Sequence, residues 1–172
     1  GANRRGLKGA CLAFACKRRN VTRSAAEIAK IMAISKQDLS RGCKLFLSIM
    51  NELKHDKITK KIKPSEPLNF LRRYCSNANI PTHVYALSEY AINVATDKNI
   101  IHFYTPPSIA SATIYLICTT IGIPINKKDL AKACNLSDVT ITKCHRGLYA
   151  YRSYLFSEET QKKYNINFWT DR

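Results

Sequence analysis

One stretch of sequence occurs twice in this chain and decides its fold. Residues 10–47 read ACLAFACKRRNVTRSAAEIAKIMAISKQDLSRGCKLFL, and residues 112–149 read ATIYLICTTIGIPINKKDLAKACNLSDVTITKCHRGLY. The two copies align without a gap, and apolar residues in one copy align with apolar residues in the other. Such self-similarity at a fixed offset indicates one supersecondary unit that is used twice.

Each copy predicts three helices, the first of which is largely apolar. These first helices are expected over residues 7–19 and 107–121. Their apolar residues lie on every side, which is typical of a helix that is enclosed by others. We therefore expect two buried central helices.

Two shorter helices follow in each copy, and capping residues mark where they begin. A capping residue with an acidic residue three positions later occurs as Ser24 with Glu27 and as Asn126 with Asp129. This pattern predicts second helices that begin near residues 25 and 127. The caps of the third helices are Ser35 and Ser137.

The second and third helices carry small and apolar residues at the spacing of two short helices that meet across a tight turn. These residues are Ala29, Ile31 and Leu39 in the first copy, and Leu130, Ala131, Leu136 and Ile141 in the second. The pattern predicts a helix-turn-helix in each copy. Uncapped backbone N–H groups are expected near residues 22–25 and 138–140, where they would be open to a phosphate.

Two further helical stretches, residues 66–77 and 82–98, precede the second copy and give that unit five helices. The predicted fold class is therefore all-α, with two helical repeats of which the first is truncated to about three helices. The predicted boundaries are residues 1–63 for the incomplete first repeat (its helices three to five), 64–156 for the second repeat and 157–172 for a C-terminal tail.

Truncation of the first repeat would leave part of its central helix uncovered, at Leu12, Ala13 and Phe14. An exposed apolar face of this kind attracts partners, so we expect it to pack on the second repeat or on a second molecule. The alternative is that the two helices missing from this repeat are present but disordered. The tail aromatics Phe168 and Trp169 are expected to dock on a surface as well.

The charge of the chain indicates a polyanionic partner. Lys and Arg number 28 against 12 Asp and Glu, which gives a net charge of +16. The excess is uneven, because residues 1–63 alone hold 16 basic and 4 acidic side chains. A field of this strength favours association with polyanions such as nucleic acid over a charge that serves solubility alone.

Several other classes of protein are excluded by the sequence. No apolar run approaches the roughly 20 residues of a membrane span, and the first residues lack the apolar core of a signal peptide, so we expect an intracellular protein. The seven cysteines are expected to be reduced and mostly in the core. No Cys-x-x-Cys pair or closely spaced histidines occur, so we predict no metal site.

A catalytic role is not expected. Cys144 and His145 are neighbours in sequence, but adjacent residues on a helix point about 100° apart and do not meet. Paired carboxylates, a Gly-rich phosphate loop and a nucleophile elbow are all missing from the sequence. We therefore predict no catalytic residues, with Cys144 in the core and His145 at the surface or facing DNA.

Particular motifs connect the chain to a known family. They are Ala10 to Lys17, Glu27-Ile28, Ile34-Ser35-Lys36, Arg41 to Leu45, Tyr74 to Asn77 with Ile80-Pro81, and Asp138 to Ile141. In these motifs the chain resembles the cyclin-like core of the transcription factor IIB (TFIIB) family over about residues 4–156. Its departures from the residues that are usual in these motifs predict a divergent member of the family, from a large DNA virus or a protist.

The resemblance implies a non-catalytic general transcription initiation factor built of two cyclin-like repeats. Its partners would be double-stranded promoter DNA, TATA-binding protein and RNA polymerase, to which it bridges as the preinitiation complex assembles. No membrane and no cofactor in this chain are expected, although a zinc ribbon would precede it in the full-length protein. We expect a functional monomer, or a dimer of the truncated fragment, in the nucleus or in a viral factory in host cytoplasm.

The third helix of the second copy is the predicted reading element, because the start of such a helix faces base edges in a major groove. Its candidate DNA-binding residues are Asp138, Val139, Thr140, Thr142, Lys143 and Arg146. By resemblance, Val139 matches the family position that packs against a base, whereas Thr142 stands where a base-reading arginine is expected. We therefore predict weak or altered sequence preference, with Lys143 and Arg146 on phosphates.

The first copy contributes two basic groups. Lys36, Arg41 and Lys44 lie on its third helix and are predicted to bind DNA. A second group at the end of its central helix is predicted to contact the DNA backbone or TATA-binding protein, and consists of Lys17, Arg18, Arg19 and Arg23. The alternative interpretation of each single side chain is a solvated helix face.

Two other functions fit the predicted fold. A cyclin that regulates a protein kinase uses the same repeat, but it gains little from a charge of +16. A sequence-specific helix-turn-helix regulator would normally dimerise to match two half-sites. Binding to duplex DNA, and its dependence on TATA-binding protein, distinguishes the three functions.

Overall fold

The computed structural model describes residues 2–53, 64–100 and 103–166, and these residues form helices and connecting turns with no β-strand. The chain divides into two compact units, residues 1–65 (unit 1) and 66–172 (unit 2). The predicted all-α class is confirmed.

The described residues of unit 1 form three helices in the order predicted. They are α1 (Ala2–Arg18), α2 (Ala25–Ile31) and α3 (Lys36–Glu52). The central helix α1 packs most extensively on α3, and α2 contacts both.

In unit 2, residues 66–100 and 103–166 form the five predicted helices and two short ones after them. The five are α4 (Leu68–Asn77), α5 (Thr82–Asp97), α6 (Pro106–Thr120), α7 (Lys127–Cys134) and α8 (Asp138–Tyr149). Two short helices follow, namely α9 (Arg152–Leu155) and α10 (Glu158–Lys163). The second of them lies in residues 157–172, which were predicted to be a C-terminal tail. Phe168 and Trp169 lie outside the described residues.

The predicted caps set the starts of the helices. Ser24 and Glu27 form a complete capping box, in which the Ser24 N–H donates to Glu27 Oε2 at 2.7 Å and the Glu27 N–H donates to Ser24 Oγ at 3.2 Å. Ser35, Asn126 and Ser137 cap α3, α7 and α8 with their side-chain oxygens. The expectation of open N–H groups at the starts of α2 and α8 was therefore wrong in part, because these caps already bind them.

The core of unit 2 surrounds α6, as predicted for its central helix. Ten of its side chains are buried, and α4, α5, α7 and α8 all contact it. The large side chains that enclose it include Phe70, Leu71, Ile92, Leu130 and Ile141. Burial of each such side chain contributes about 1.5–3 kcal/mol to folding.

The core of unit 1 is smaller, and the prediction of a fully buried central helix was wrong for α1. Its fully buried apolar side chains centre on Ile28, Ala29 and Leu39, whereas Cys11 and Ala15 on α1 are exposed. The physical reason is that, among the described helices, α2 and α3 cover α1 while four helices cover α6.

The face that was expected to be uncovered is in fact half-buried. Leu12 and Ala13 pack against the core of unit 1, and the ring of Phe14 stacks on Phe46 with 4.4 Å between ring centroids. Ile31 was predicted to lie in the helix-turn-helix contact, but its side chain is 64% exposed. The last residue of α2 therefore points outward and leaves the contact to Ala29 and Ile34.

The cysteines divide into two groups. Cys75, Cys118, Cys134 and Cys144 are buried in unit 2, while unit 1 has the exposed Cys11 and the half-buried Cys16 and Cys43. Burial raises the pKa of Cys75 to about 12, that of Cys118 to about 11 and that of Cys144 to about 12. These three thiols stay protonated at neutral pH and act as small apolar side chains.

Two glycines let α1 and α3 approach closely in unit 1. A methyl group on Gly42 would overlap the backbone of Gly6, and one on Gly6 would overlap the carbonyl of Asp38. Unit 2 has Ser108 and Cys144 at the same register of the repeat, so its helices cannot approach in this way. Close contact between backbones compensates for the small core of unit 1.

Gly42→Ala is expected to destabilise unit 1 by about 1–3 kcal/mol, because the added methyl group meets backbone that cannot move aside cheaply. This loss exceeds the gain of about 1 kcal/mol in helix propensity. Urea unfolding followed by circular dichroism measures it.

Gly147→Ala in α8 is the matched control. Its methyl group would meet the hydroxyl of Tyr104 at 2.6 Å, which belongs to a side chain that can rotate away. We expect a smaller loss of stability there. Equal stability of Gly42→Ala and the natural chain would contradict the backbone contact.

Candidate nucleic-acid interface

The predicted helix-turn-helix of unit 2 is formed by α7 and α8. α7 ends at Cys134, and Asn135 adopts the left-handed conformation (φ 54°) that reverses the chain. The N–H of Leu136 donates to the carbonyl of Ala131 at 2.9 Å, and Ser137 then caps α8. This short turn fixes where α8 begins relative to α7.

α8 has a packed face and an open face. The buried residues are Ile141, Cys144 and Leu148. On the opposite side, the Val139 side chain is 57% exposed, and Lys143 and Arg146 are exposed as well. Spacings of four and three residues bring these three predicted residues onto one stripe. Neither Lys143 nor Arg146 has an ion-pair partner within the described residues.

The other three residues predicted on α8 use their polar groups on the helix itself. Asp138 Oδ1 accepts a hydrogen bond from the Val139 N–H at 2.9 Å, and the hydroxyls of Thr140 and Ser137 are 2.7 Å apart. Thr142 Oγ1 donates to the carbonyl of Asp138 at 2.8 Å. Because these polar groups are engaged within the first turns of α8, they do not join the open stripe.

His145 was predicted to lie at the surface or to face DNA, and this prediction was wrong. Its ring is half-buried, 5.1 Å from the ring of Tyr115 edge to face and 5.6 Å from that of Tyr149. Burial, with a contribution from nearby Lys127, lowers the pKa of His145. The His145 ring is therefore uncharged at neutral pH and packs α8 against Tyr115 of α6.

Two cationic side chains that lie beside α8, Lys127 and Arg152, were not predicted from the sequence. Lys127 Nζ lies 4.8 Å from the centre of the Tyr115 ring, and the Arg152 guanidinium lies 4.2 Å from that of Tyr149. Arg152 also donates to the carbonyl of Tyr149 at 3.2 Å. The spacing of three residues between Tyr149 and Arg152 was the available signal. Both cations increase the positive potential around α8.

The helix-turn-helix of unit 1 presents its predicted cations on α3. Lys36, Arg41 and Lys44 are all exposed. Arg41 differs from the other two because its Nη2 lies 3.3 Å from Asp38 Oδ1. That carboxylate also accepts a hydrogen bond from the Ser35 hydroxyl at 2.8 Å.

The basic group at the end of α1 is only partly available. Arg18 and Arg19 are exposed, whereas Lys17 and Arg23 are half-buried. Arg23 Nη1 donates to the carbonyl of Val21 at 3.1 Å, so its side chain folds back on the loop. Lys17 lies close enough to Cys43 to oppose the rise in that thiol's pKa that burial causes. Arg18 and Arg19 are thus the outward members of the group.

The residues that the structure describes contain neither a cluster of metal ligands nor a long apolar helix. No group of three His, Cys, Asp or Glu side chains there is placed to hold a metal ion. None of the helices there combines the length and the apolar character needed to cross a bilayer.

Comparison with known proteins agrees with this architecture. The model of the transcription factor TFIIB repeat matches residues 60–150, which is just over half of the chain. The chain is 29% identical over 150 residues to transcription initiation factor IIB of Drosophila virilis, with 87% of this chain and 48% of the relative covered. It is also 29% identical over 150 residues to the Homo sapiens protein of that name, with 87% of this chain and 45% of the relative covered.

The Dictyostelium discoideum protein of the same name is 28% identical over 159 residues, with 90% of this chain and 46% of the relative covered. The chain spans about half the length of the curated relatives it matches. Similarity to these proteins does not show the source of this chain, so a viral or protist origin and a viral factory stay predictions. The family match over more than half of the sequence, together with the duplicated helical unit, shows that the chain belongs to the TFIIB repeat family.

Proposed function

We propose that this chain acts as a general transcription initiation factor, which binds promoter DNA with TATA-binding protein and bridges to RNA polymerase. The observation that carries the proposal is the open stripe of α8, where Val139, Lys143 and Arg146 project from a helix-turn-helix. A stripe with one apolar and two cationic side chains suits a major groove, where cations bind phosphates and an apolar group meets a thymine methyl. The similar proteins are themselves transcription initiation factors.

Unit 1 would add further contacts to the same complex of promoter DNA and TATA-binding protein. Arg18 and Arg19 project from the end of α1 and suit either a phosphate backbone or an acidic protein surface. We assign this role to the basic group that they form with Lys17 and Arg23. In this assignment residues 1–63 and 64–156 act as the two repeats of a non-catalytic nuclear factor.

The function is tested by a gel shift on a TATA-containing duplex with and without TATA-binding protein. We expect a slower complex that depends on that protein. Lys143→Glu/Arg146→Glu is expected to weaken it at least tenfold, because two phosphate contacts become repulsive. Their replacement by alanine should reduce the slope of log affinity against log salt by about 0.9 for each phosphate that is no longer neutralised.

Lys162→Glu/Lys163→Glu on α10 is the charge-matched control, since both lysines are exposed and far from α8 in sequence. Its affinity should change much less. Equal weakening by both double variants would mean that only net charge matters. No complex with any duplex, with or without TATA-binding protein, would contradict the proposed function.

The sequence preference of α8 gives a separate prediction. Thr142 is engaged with the carbonyl of Asp138 and has no fork of donors for guanine. Thr142→Arg is expected to add a guanine preference of about 1–3 kcal/mol at one position of the site. Thr142→Ala, which only removes the helix hydrogen bond, should leave the preference unchanged. Gel shifts on duplexes that differ at single positions measure both variants.

A further inference from the structure

Three tyrosine rings lie exposed where α8 ends and α9 begins. The side chains of Tyr149, Tyr151 and Tyr154 are 42%, 46% and 59% exposed. They are three of the nine tyrosines in the chain, within a segment of six residues. Exposed apolar side chains that stand singly are ordinary, whereas a cluster of exposed rings this close together marks an interaction surface.

The backbone that carries these rings is held by α8 and by the core of unit 2. The Tyr151 N–H donates to the carbonyl of Leu148 at 3.0 Å, and the Tyr154 N–H donates to the carbonyl of Tyr151 at 3.0 Å. Leu155 and Phe156, which follow directly, are buried in the core. The other apolar side chains of this segment therefore point inward, and the tyrosine rings are left outside on a turn that the core holds in place.

Two cations lie against the outer two rings. The Arg152 guanidinium lies 4.2 Å from the centre of the Tyr149 ring, and Lys98 Nζ lies 5.4 Å from that of Tyr154. Lys98 ends α5, on which α9 packs, so it joins the same surface. No ring or cation of the described residues stacks on Tyr151. We call these three tyrosines, with Arg152 and Lys98, the tyrosine surface.

The segment that carries the tyrosines has no acidic side chain. Residues 139–157 include Lys143, Arg146 and Arg152 and neither Asp nor Glu. Arg146, in the open stripe of α8, is exposed three residues before Tyr149. Positive charge therefore continues from the open stripe to the tyrosine surface, which fits a polyanion. The rings add a feature that phosphate binding alone does not need, namely flat faces on which bases stack.

Unit 1 has no counterpart of this surface. The repeat sets Tyr149 against Leu47, and continuation of the same register sets Tyr151 against Ile49. Both residues of unit 1 lie within α3, which runs on as one helix, whereas α8 ends at Tyr149 and the chain turns into α9. The rings are therefore not a requirement of the repeated helical unit.

We propose that the tyrosine surface binds single-stranded DNA, with unpaired bases stacked on Tyr151 and Tyr154 and with Arg152 and Lys98 on the flanking phosphates. Bases within a duplex stack on one another, so only an unpaired strand offers its faces to these rings. Every base has such a face, so we expect little sequence preference. The choice of DNA over RNA rests on the proposed function, because a strand that continues from a duplex on the open stripe reaches this surface next.

The inference is tested by the fluorescence anisotropy of labelled strands mixed with the whole chain, without TATA-binding protein. An oligothymidine strand is compared with an abasic strand of equal length. The two strands carry the same phosphates, so the ratio of their affinities reports on the bases alone. We expect the thymidine strand to bind roughly tenfold more tightly or better.

Replacement of the rings separates stacking from charge. Tyr151→Ala/Tyr154→Ala should weaken binding of the thymidine strand by roughly fivefold to a hundredfold for each ring and leave the abasic strand unaffected. Tyr151→Phe/Tyr154→Phe keeps the rings and should keep the preference. Tyr90→Ala is the matched control, since Tyr90 is 43% exposed on α5 and lies about two turns before Lys98.

Replacement of the cations should act on both strands alike. Arg152→Ala/Lys98→Ala is expected to lower the affinity for thymidine and abasic strands equally. The slope of log affinity against log salt should fall by about 0.7 for each phosphate that is no longer neutralised on a single strand. Circular dichroism of each variant checks that unit 2 is folded in these comparisons.

Three results would overturn the inference. Equal affinity of the natural chain for thymidine and abasic strands would mean that phosphates alone are bound. Displacement of the labelled strand by polyglutamate as readily as by unlabelled thymidine strand would indicate an acidic protein as the partner. Tighter binding of oligouridine RNA than of the matching deoxyuridine strand would indicate RNA.

Failure of this inference and failure of the proposed function give different results. A chain that forms the complex with TATA-binding protein and duplex DNA, but shows no preference for thymidines, keeps the proposed function and loses the tyrosine surface as a site for single strands. A chain that prefers thymidines but forms no such complex loses the proposed function instead.

Discussion

The third helix of each unit buries one face and leaves the opposite face open, and the proposed nucleic-acid interface depends on that constraint. In α8, Ile141, Cys144 and Leu148 are buried with the rest of the core of unit 2. The protonated thiol of Cys144 serves there as an apolar side chain of suitable volume. Since the buried face cannot rotate without disrupting this packing, the direction of Val139 and Lys143 is fixed by the core.

The two units meet the same constraint in different ways. Unit 2 encloses its central helix with four others and buries large side chains around it. Unit 1 has two helices against α1, and the contact between Gly6 and Gly42 brings the backbones of α1 and α3 together. The smaller side-chain volume is thus offset by shorter distances between helices, which makes unit 1 sensitive to a single methyl group.

Local signals in the sequence predicted the helices and their starts well, because they depend on residues within one turn. The capping box of Ser24 and Glu27 forms as expected from its spacing. Predictions that required knowledge of neighbouring elements were less successful. The exposure of α1 depends on how many helices cover it, and the burial of His145 depends on Tyr115 in another helix. The spacing of three residues between Asp38 and Arg41 can be seen in the sequence, but the exposure of the Arg41 side chain is evident only in the fold.

The starts of α2 and α8 are capped, and this bears on how the proposed interface would hold phosphate. In α2 the N–H groups of Ser24 and Glu27 bind each other's side chains, and in α8 those of Val139 and Thr140 bind Asp138 and Ser137. These bonds occupy two N–H groups at each helix start, so in the proposed function phosphates would be bound mainly by lysine and arginine side chains. Contacts of that kind release counterions and position the protein without reading sequence.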